Sequence, residues 1–508
     1  MPTKNTGTTP YWATSAPLPQ FAKLDEDLLT DVLVVGAGMT GLTTAYLLAK
    51  AGKKVVVLER DRSATIDTGH TTAHVTMVTD TRMTELVKRF GRNHAQAVWD
   101  AGLAAIATID DVVREHDIDA GFEWVDGYLH APVSGQSKGD APSLQEDAKL
   151  AADLGFDAEF VEAVPLVNRP GIRVRDQARI HPRRYLAGVA NALVGLGGRI
   201  YEHSPADEFC EEPRAAKVGR HTVRYDDVVL ATHNPLVGLN GLVSATLFQT
   251  KLALYTSYVV AGRVAKGVLP DALWWDTSDP YFYLRVEAHP DFDVVIFGGE
   301  DHKTGQQDDT VDCYQRLEAQ LTAILPQVEL THRWSGQVIE TPDGLPYIGQ
   351  SGDHQYAATG YAGNGMTFGT LAGVMISDAI LGRSNPWAEL FDPGRKALTR
   401  GLWDYLKENA DYPYYLIRDR FAGPDARSLR AVKRGQGAII EHAGAKTAAY
   451  RDQSGQVTLR SATCTHMGCV VAWNTAERTW DCPCHGSRFK ITGEVISGPA
   501  EAPLPHVE

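Results

Sequence analysis

The sequence predicts an α/β protein of several domains, with a dinucleotide-binding sheet near its N-terminus and a small all-β module at its C-terminus. Three observations carry that expectation. The chain has 508 residues, more than one hydrophobic core sustains, so roughly two to four domains are expected. Residues 31–59 run strand, glycine-rich turn, helix, strand and a terminal acid. From Ser428 onward, short β-segments are broken by glycine every several residues, the pattern of a small all-β unit.

The N-terminal unit is the most fully specified. Asp31 to Val35 reads DVLVV and leads into Gly36-Ala37-Gly38-Met39-Thr40-Gly41, then a helical stretch and a second strand ending at Glu59. In such a unit the first glycine allows the tight turn, the second lets the backbone approach a pyrophosphate, and the third lets helix and strand pack closely. The helix N-terminus, with Met39 and Thr40 in its first turn, presents partial positive charge to the phosphates. Glu59 is placed to accept hydrogen bonds from ribose hydroxyls, with Arg60 beside it. FAD and NAD share this fingerprint, and it does not choose between them.

Composition narrows the partners. A net charge of -14 argues against nucleic acid and against anionic membrane surfaces. Met1 to Gln20 is polar and dotted with proline, without a signal-peptide apolar run, and no stretch is long and apolar enough to enter a bilayer. Cys210 and Cys313 stand alone, whereas the other four cysteines crowd near the C-terminus. That usage fits a reducing compartment, where disulfides are rare, and a cytoplasmic location is expected.

Those four lie in Cys464-Thr465-His466-Met467-Gly468-Cys469 and Cys482-Pro483-Cys484-His485-Gly486-Ser487. Together with Gly498-Pro499-Ala500 the pair resembles the Rieske 2Fe–2S family. The resemblance implies Cys464, His466, Cys482 and His485 as cluster ligands, and a Cys469–Cys484 disulfide clamping the two loops. Two neutral imidazoles in place of thiolates leave such a cluster less negative and easier to reduce. Zinc patterns instead pair Cys with Cys and His with His at short spacing. High-potential Rieske members place a Ser and a Tyr hydroxyl near the cluster; here Ser487 stands at the first position and Phe489 at the second.

Residues 28 to 390 resemble the D-amino-acid-oxidase superfamily, in particular its glycine-oxidase and sarcosine-oxidase-like members. The landmarks are Gly69-His70-Thr71-Thr72-Ala73-His74, His181-Pro182-Arg183-Arg184-Tyr185, the strand DDVVLAT ending at Thr232, Trp334-Ser335-Gly336 and Gly363-Asn364-Gly365-Met366-Thr367. The resemblance implies FAD, with Thr71, Thr72, Ala73 and Thr232 along its path. It also implies a helix after Gly363 whose N-terminus, through Asn364, Gly365, Met366 and Thr367, faces the flavin pyrimidine. The expected fold is an α/β (α+β) FAD-binding Rossmann-like domain with a mixed-sheet substrate domain, plus a small all-β Rieske domain. The FAD domain is expected at 28–115, 176–245 and 335–390, and the substrate domain at 116–175 and 246–334. An N-terminal extension (1–27), a linker with a helix (391–427) and the Rieske domain (428–508) complete the division.

The expected activity is a FAD-dependent oxidation of an amine or amino acid CH–NH bond, with electrons passed singly to the 2Fe–2S cluster. The one-electron acceptor beyond the cluster is open to a small molecule or a protein. The alternative is a flavin/Rieske reductase serving a protein partner, against which the lack of a second dinucleotide fingerprint counts. A Rieske oxygenase would need two His and a carboxylate on a mononuclear iron. The nearest set, Asp67, His70 and His74, falls on the flavin path. For substrate contact, Arg285 is the candidate carboxylate binder, a task suited to a planar guanidinium, and His302 and Lys303 are candidates for proton or oxygen chemistry. Trp275, Tyr281 and Tyr283 are candidate walls.

Overall fold

The computed structural model describes residues 8–133, 140–234, 252–395, 423–426 and 428–507. The expected helix near Leu402–Leu406 lies outside the described residues. The first sheet grows around Val32–Val35, four aliphatic residues buried throughout, as the central strand of a parallel sheet must be. Val55–Leu58 and Asp227–Leu230 flank it in parallel. Across six strands the order is Tyr347–Gly352, Gln355–Thr359, Asp227–Leu230, Val32–Val35, Val55–Leu58 and Arg199–Tyr201. Helices Met39–Lys50 and Gly365–Ile380 pack against one another, so closely that a Cβ on Gly373 would stand 2.6 Å from Thr43 Cγ2.

The second sheet is mixed and has nine strands, the longest being Ala253–Ala265, Phe292–Lys303 and Glu329–Glu340. Among the described residues its one parallel pair joins Ala272–Asp276 to Glu123–His130. A third sheet of four strands, from Leu28–Leu29 to Glu208–Glu211, completes the N-terminal part. This is the Rossmann-like plus mixed-sheet architecture expected from the sequence.

Sheet pairing cuts across the expected boundaries. Gly171–Arg179 and Glu329–Glu340 run through positions 176 and 335, and His74–Val75 pairs with Gly171–Arg179 although it lies far upstream. Strands stay paired along their length, so sheet membership does not stop at the landmarks a sequence offers. The N-terminal stretch, expected as an extension, enters the core through Tyr11 and Trp12. Trp12 is fully buried and its Nε1 donates to Thr71 O at 2.6 Å, while Tyr11 Oη lies 2.6 Å from His289 Nε2. Two adjacent aromatic rings bury enough apolar surface to anchor an otherwise polar segment.

The C-terminal module has two antiparallel sheets. Gln436–His442, Ala445–Arg451 and Val457–Ser461 form one; Ala472–Asn474, Thr479–Asp481, Arg488–Phe489 and Val495–Ser497 form the other. Its core gathers Ile439, Ala448, Tyr450, Trp480 and Phe489 around Cys464 and Cys482. Among the described residues, no helix is long and apolar enough to cross a membrane.

Candidate active site and metal centre

A cavity of about 430 Å³ runs from Glu59 past Gly36, Gly38, Met39 and Thr40 to Gly363–Met366. Its first end is shaped by glycines. Gly36 has φ +104°, and a Cβ there would meet Ala231 O at 2.4 Å; one on Gly41 would meet Gly36 O at 1.8 Å. A Cβ on Gly38 would meet only Thr68 Oγ1, at 3.0 Å, so the space before it is open to a ligand. Gly38, at the N-cap of the helix that begins at Met39, makes no side-chain cap bond; Met39 N donates to Thr68 Oγ1 at 3.3 Å, and the partial positive charge of the helix N-terminus favours an anion. Glu59 accepts from Ala37 N and Asp61 N, both at 2.9 Å, which fixes its carboxylate at the cavity wall. This cradle fits FAD.

At the other end the helix Gly365–Ile380 points its N-terminus into the cavity. Asn364 Nδ2 donates to Val78 O at 3.1 Å, and Thr367 Oγ1 donates to Thr76 O at 2.9 Å. Asp80, Tyr281, Tyr283, Ser257 and Asp301 also line the cavity, and Asp80 and Tyr281 lie against the Gly363 turn. Tyr281 Oη donates to Asp80 Oδ2 at 3.2 Å, and Ser257 Oγ lies 2.6 Å from Tyr283 Oη. Asp80 is exposed where it lines the open cavity, but the protein packed around it raises its carboxyl to about 7, with Asp301 adding to the rise and the Tyr281 hydrogen bond opposing it. Burial likewise raises Asp301 to about 7. His74 stays neutral, because burial pulls its imidazole down to about 3.

The metal centre sits between the two cysteine loops. Cys464 and Cys482 are buried, at 2 % and 1 % exposure, and the contact between their sulfurs lowers the Cys464 thiol and raises the Cys482 thiol. The imidazole rings of His466 and His485 lie 4.9 Å apart at 86°, and burial keeps His466 neutral by lowering it to about 4. Cys469 and Cys484 form a disulfide whose sulfurs lie within 4.8 Å of Cys482 Sγ. With those two sulfurs bonded to each other, two thiols and two imidazoles remain as the donor set. That set fits a Rieske cluster. Ser487 Oγ accepts from Ala500 N at 3.1 Å and bonds to the Cys464 sulfur.

The two sites share a wall. Residues Ile496 to Glu501 of the C-terminal module line the flavin cavity, and Arg60 donates to Ile496 O at 2.8 Å. Gln337 lines the same cavity, and its Nε2 donates to Gly486 O at 2.8 Å. Gln306 Nε2 donates to Pro483 O at 2.9 Å, and a Cβ on Gly305 would stand 2.8 Å from the Cys482 carbonyl carbon. The second cysteine loop is therefore pressed onto the mixed sheet.

Of the residues expected at the flavin, Gly36, Gly38, Met39, Thr40, Glu59, Arg60, Thr71, Thr72, Thr232, Gly363, Asn364, Gly365 and Met366 line the cavity. Gly41, Ala73 and Thr367 stand behind it. The residues expected at the substrate are placed differently. Arg285 is fully buried outside the cavity, paired with Glu287 and donating to Ala73 O and Ile180 O at 2.8 and 3.0 Å. It braces the flavin-side segment and does not face a substrate carboxylate. His302 stacks on Tyr258, with ring centroids 5.5 Å apart, and neither it nor Lys303 lines the cavity.

The cause is a β-bulge. The register between Ala253–Ala265 and Phe292–Lys303 shifts at Thr256/Tyr258, and Glu300 takes φ +60°. The extra residue turns Asp301 inward and His302 out, and such bulges recur beside active sites. Asp80, Ser257, Asp301 and Gln337 went unread in the sequence, where the only signal was an acidic pair after two glycines.

Comparison with known proteins agrees with this geometry. The FAD dependent oxidoreductase family model, of D-amino-acid-oxidase type, matches residues 31–379, and the Rieske [2Fe-2S] domain model matches residues 425–508. A Bacillus subtilis (strain 168) protein, YhfW, described as a Rieske 2Fe-2S iron-sulfur protein, is 34% identical over 98% of this chain and 97% of its own. The gamma-glutamylputrescine oxidoreductase of Escherichia coli (strain K12) is 26% identical over 76% of this chain and 91% of its own. Glycine oxidase from Geobacillus kaustophilus superposes with a TM-score of 0.61 at 15% identity, covering 73% of this chain and 99% of that one. The cofactors are FAD and a 2Fe–2S cluster. The chain belongs to the FAD-dependent oxidoreductase family of D-amino-acid-oxidase type, with a Rieske [2Fe-2S] domain fused at its C-terminal end.

Proposed function

We propose that the protein oxidises the CH–NH bond of an amine or amino acid at its FAD and passes the electrons singly to its own Rieske cluster. Gln337 is the observation that carries this reading, because one side chain lines the flavin cavity and hydrogen-bonds the cluster loop at Gly486. FAD, when bound, accepts a hydride from such a bond, and the 2Fe–2S cluster takes up one electron at a time. The relatives named for glycine and for gamma-glutamylputrescine support a nitrogen-bearing substrate.

The residues divide the work. Gly36, Gly38, Met39, Thr40 and Glu59 hold the pyrophosphate and ribose, with Arg60 tying this end to the Rieske module. Gly363 to Met366 bring a helix N-terminus to the flavin, where its dipole favours negative charge. Cys464, His466, Cys482 and His485 hold the cluster, supported by the paired thiols and facing imidazoles. The Ile496–Glu501 wall and the docked loop bring the Rieske module against the flavin cavity. The cysteine usage supports a reducing, cytoplasmic setting.

Anaerobic stopped-flow tests this. An accepted amine or amino acid should bleach the flavin and then reduce the cluster in the same molecule. Gln337→Ala should slow the second phase several-fold and leave the first intact. Bleaching by NAD(P)H and by no amine or amino acid would replace this reading with a reductase serving a protein partner.

A further inference from the structure

The substrate end of the cavity has an unbalanced charge. Asp80 and Asp301 both face it. Among the described residues lining the whole cavity, the only Arg or Lys are Arg60 and Arg62, and both flank Glu59 at the opposite end. Arg285, the nearest guanidinium by sequence expectation, is committed to Glu287 and to two backbone carbonyls.

Asp301 accepts a hydrogen bond from Ser257, while its Oδ1 is buried with no hydrogen-bond partner. A buried carboxylate oxygen left open in this way is costly unless a ligand completes it. Asp80 stands across from it, against Tyr281 and the flavin-facing turn; a Cβ on Gly363 would lie 3.0 Å from Tyr281 Oη and 3.3 Å from Asp80 Oδ2. The rings of Tyr281 and Tyr283 lie 5.6 Å apart at 51°, offering aromatic faces to a cation. An α-amino acid would bring its carboxylate among two carboxylates with no countercharge, which is strongly unfavourable.

We infer that the pocket between Asp80 and Asp301 selects an alkylamine or diamine without an α-carboxylate, held as an ammonium ion against the two carboxylates and the Tyr281–Tyr283 faces. This rests on the CH–NH reading above and narrows it. With FAD bound, the ammonium nitrogen would first give up one proton to a pocket carboxylate, after which the C–H bond would break with its electron pair passing to FAD as hydride. The iminium ion left would be hydrolysed by water to a carbonyl compound and an ammonium ion.

The test uses the holoenzyme under anaerobic conditions, with 1,4-diaminobutane and butylamine against glycine and sarcosine. Tetramethylammonium and benzoate serve as non-oxidisable probes of binding, read from shifts of the flavin visible bands. The two amines should bleach the flavin and tetramethylammonium should shift its bands, while the amino acids and benzoate do neither. Asp301→Asn keeps the side-chain volume and the Ser257 contact. It should raise the half-saturating concentration of tetramethylammonium at least about tenfold at unchanged FAD content, and Asp80→Asn should do the same. Bleaching by glycine or sarcosine, benzoate binding, or unaltered tetramethylammonium affinity in both variants overturns the inference. If tetramethylammonium binds and both variants lose it, yet no amine or amino acid bleaches the flavin, the cation site stands and the CH–NH reading falls.

Discussion

The cluster seat and the substrate end of the flavin cavity both enclose polar side chains, yet they are held by opposite means. Cys464, His466, Cys482 and His485 lie within 21 positions of one another, on two loops joined by the Cys469–Cys484 bond. Asp80, Ser257, Tyr281, Tyr283 and Asp301 span 221 positions and meet only because two loops and three strands converge. The first site is closed by local chain and a covalent link, so it depends little on the register of distant strands. The second depends on that register, and on one bulge in it. Substitutions should therefore act all-or-none at the cluster and in graded fashion at the pocket.

The largest effect expected is at the cluster. Cys482→Ala removes one of the two adjacent sulfurs and should abolish the Rieske electron paramagnetic resonance signal while the protein stays yellow. An unchanged signal would show that the seat is not the one described, and with it that the local site is less self-contained than the distant one.

Next is Gly38→Val at the flavin cradle. A side chain there meets little protein but fills the space a pyrophosphate needs, so purified protein should fold and lose most of its FAD. Full FAD occupancy, measured by extraction and absorbance, would place the pyrophosphate elsewhere.

A graded effect is expected from pH. Burial holds Asp80 and Asp301 up near 7, helped at Asp80 by Asp301 and at Asp301 by Glu300. Tyr281 and Tyr283 also face the pair, and burial raises both phenols, so they remain neutral over this range. Glu300 is paired with Arg316. A carboxyl raised in the folded protein keeps protons that the unfolded chain has released. The pair's contribution to stability therefore falls as pH rises from about 4 to about 7, while affinity for a cation should rise through about 7. Thermal melts and tetramethylammonium titrations across that window check both signs; a flat affinity profile would separate the carboxylates from the ligand.

The smallest effect sharpens the cluster side. Phe489 is fully buried in the same core as Cys464 and Cys482 but offers no hydroxyl, whereas Ser487 already bonds to the Cys464 sulfur. Phe489→Tyr should add a donor worth about 1 kcal/mol, raising the cluster potential on the order of 30–60 mV by the one-electron conversion. Ser487→Ala should lower it. Shifts of the opposite sign in protein-film voltammetry would mean that these hydroxyls do not reach the cluster sulfurs.

What the sequence determined by itself is what short stretches of chain can encode. The Gly36–Glu59 unit, the two Cys/His loops and the helix after Gly363 were legible because turn, capping and metal chemistry demand particular residue types at fixed spacing. Tertiary structure decided everything that depends on which strand faces what. Trp12 became core because the Thr71 carbonyl, the His181 ring and the Arg285 guanidinium receive it. Arg285 became a brace because Glu287 lies beside it on the same strand and the carbonyls of Ala73 and Ile180 converge on it. Asp301 faced inward, and His302 outward, because a single extra residue at Glu300 reversed the two-residue alternation of a strand. The docking of the Rieske loop on Gln306 and Gln337 was equally hidden, since a contact between surfaces more than a hundred residues apart leaves no periodic trace in either.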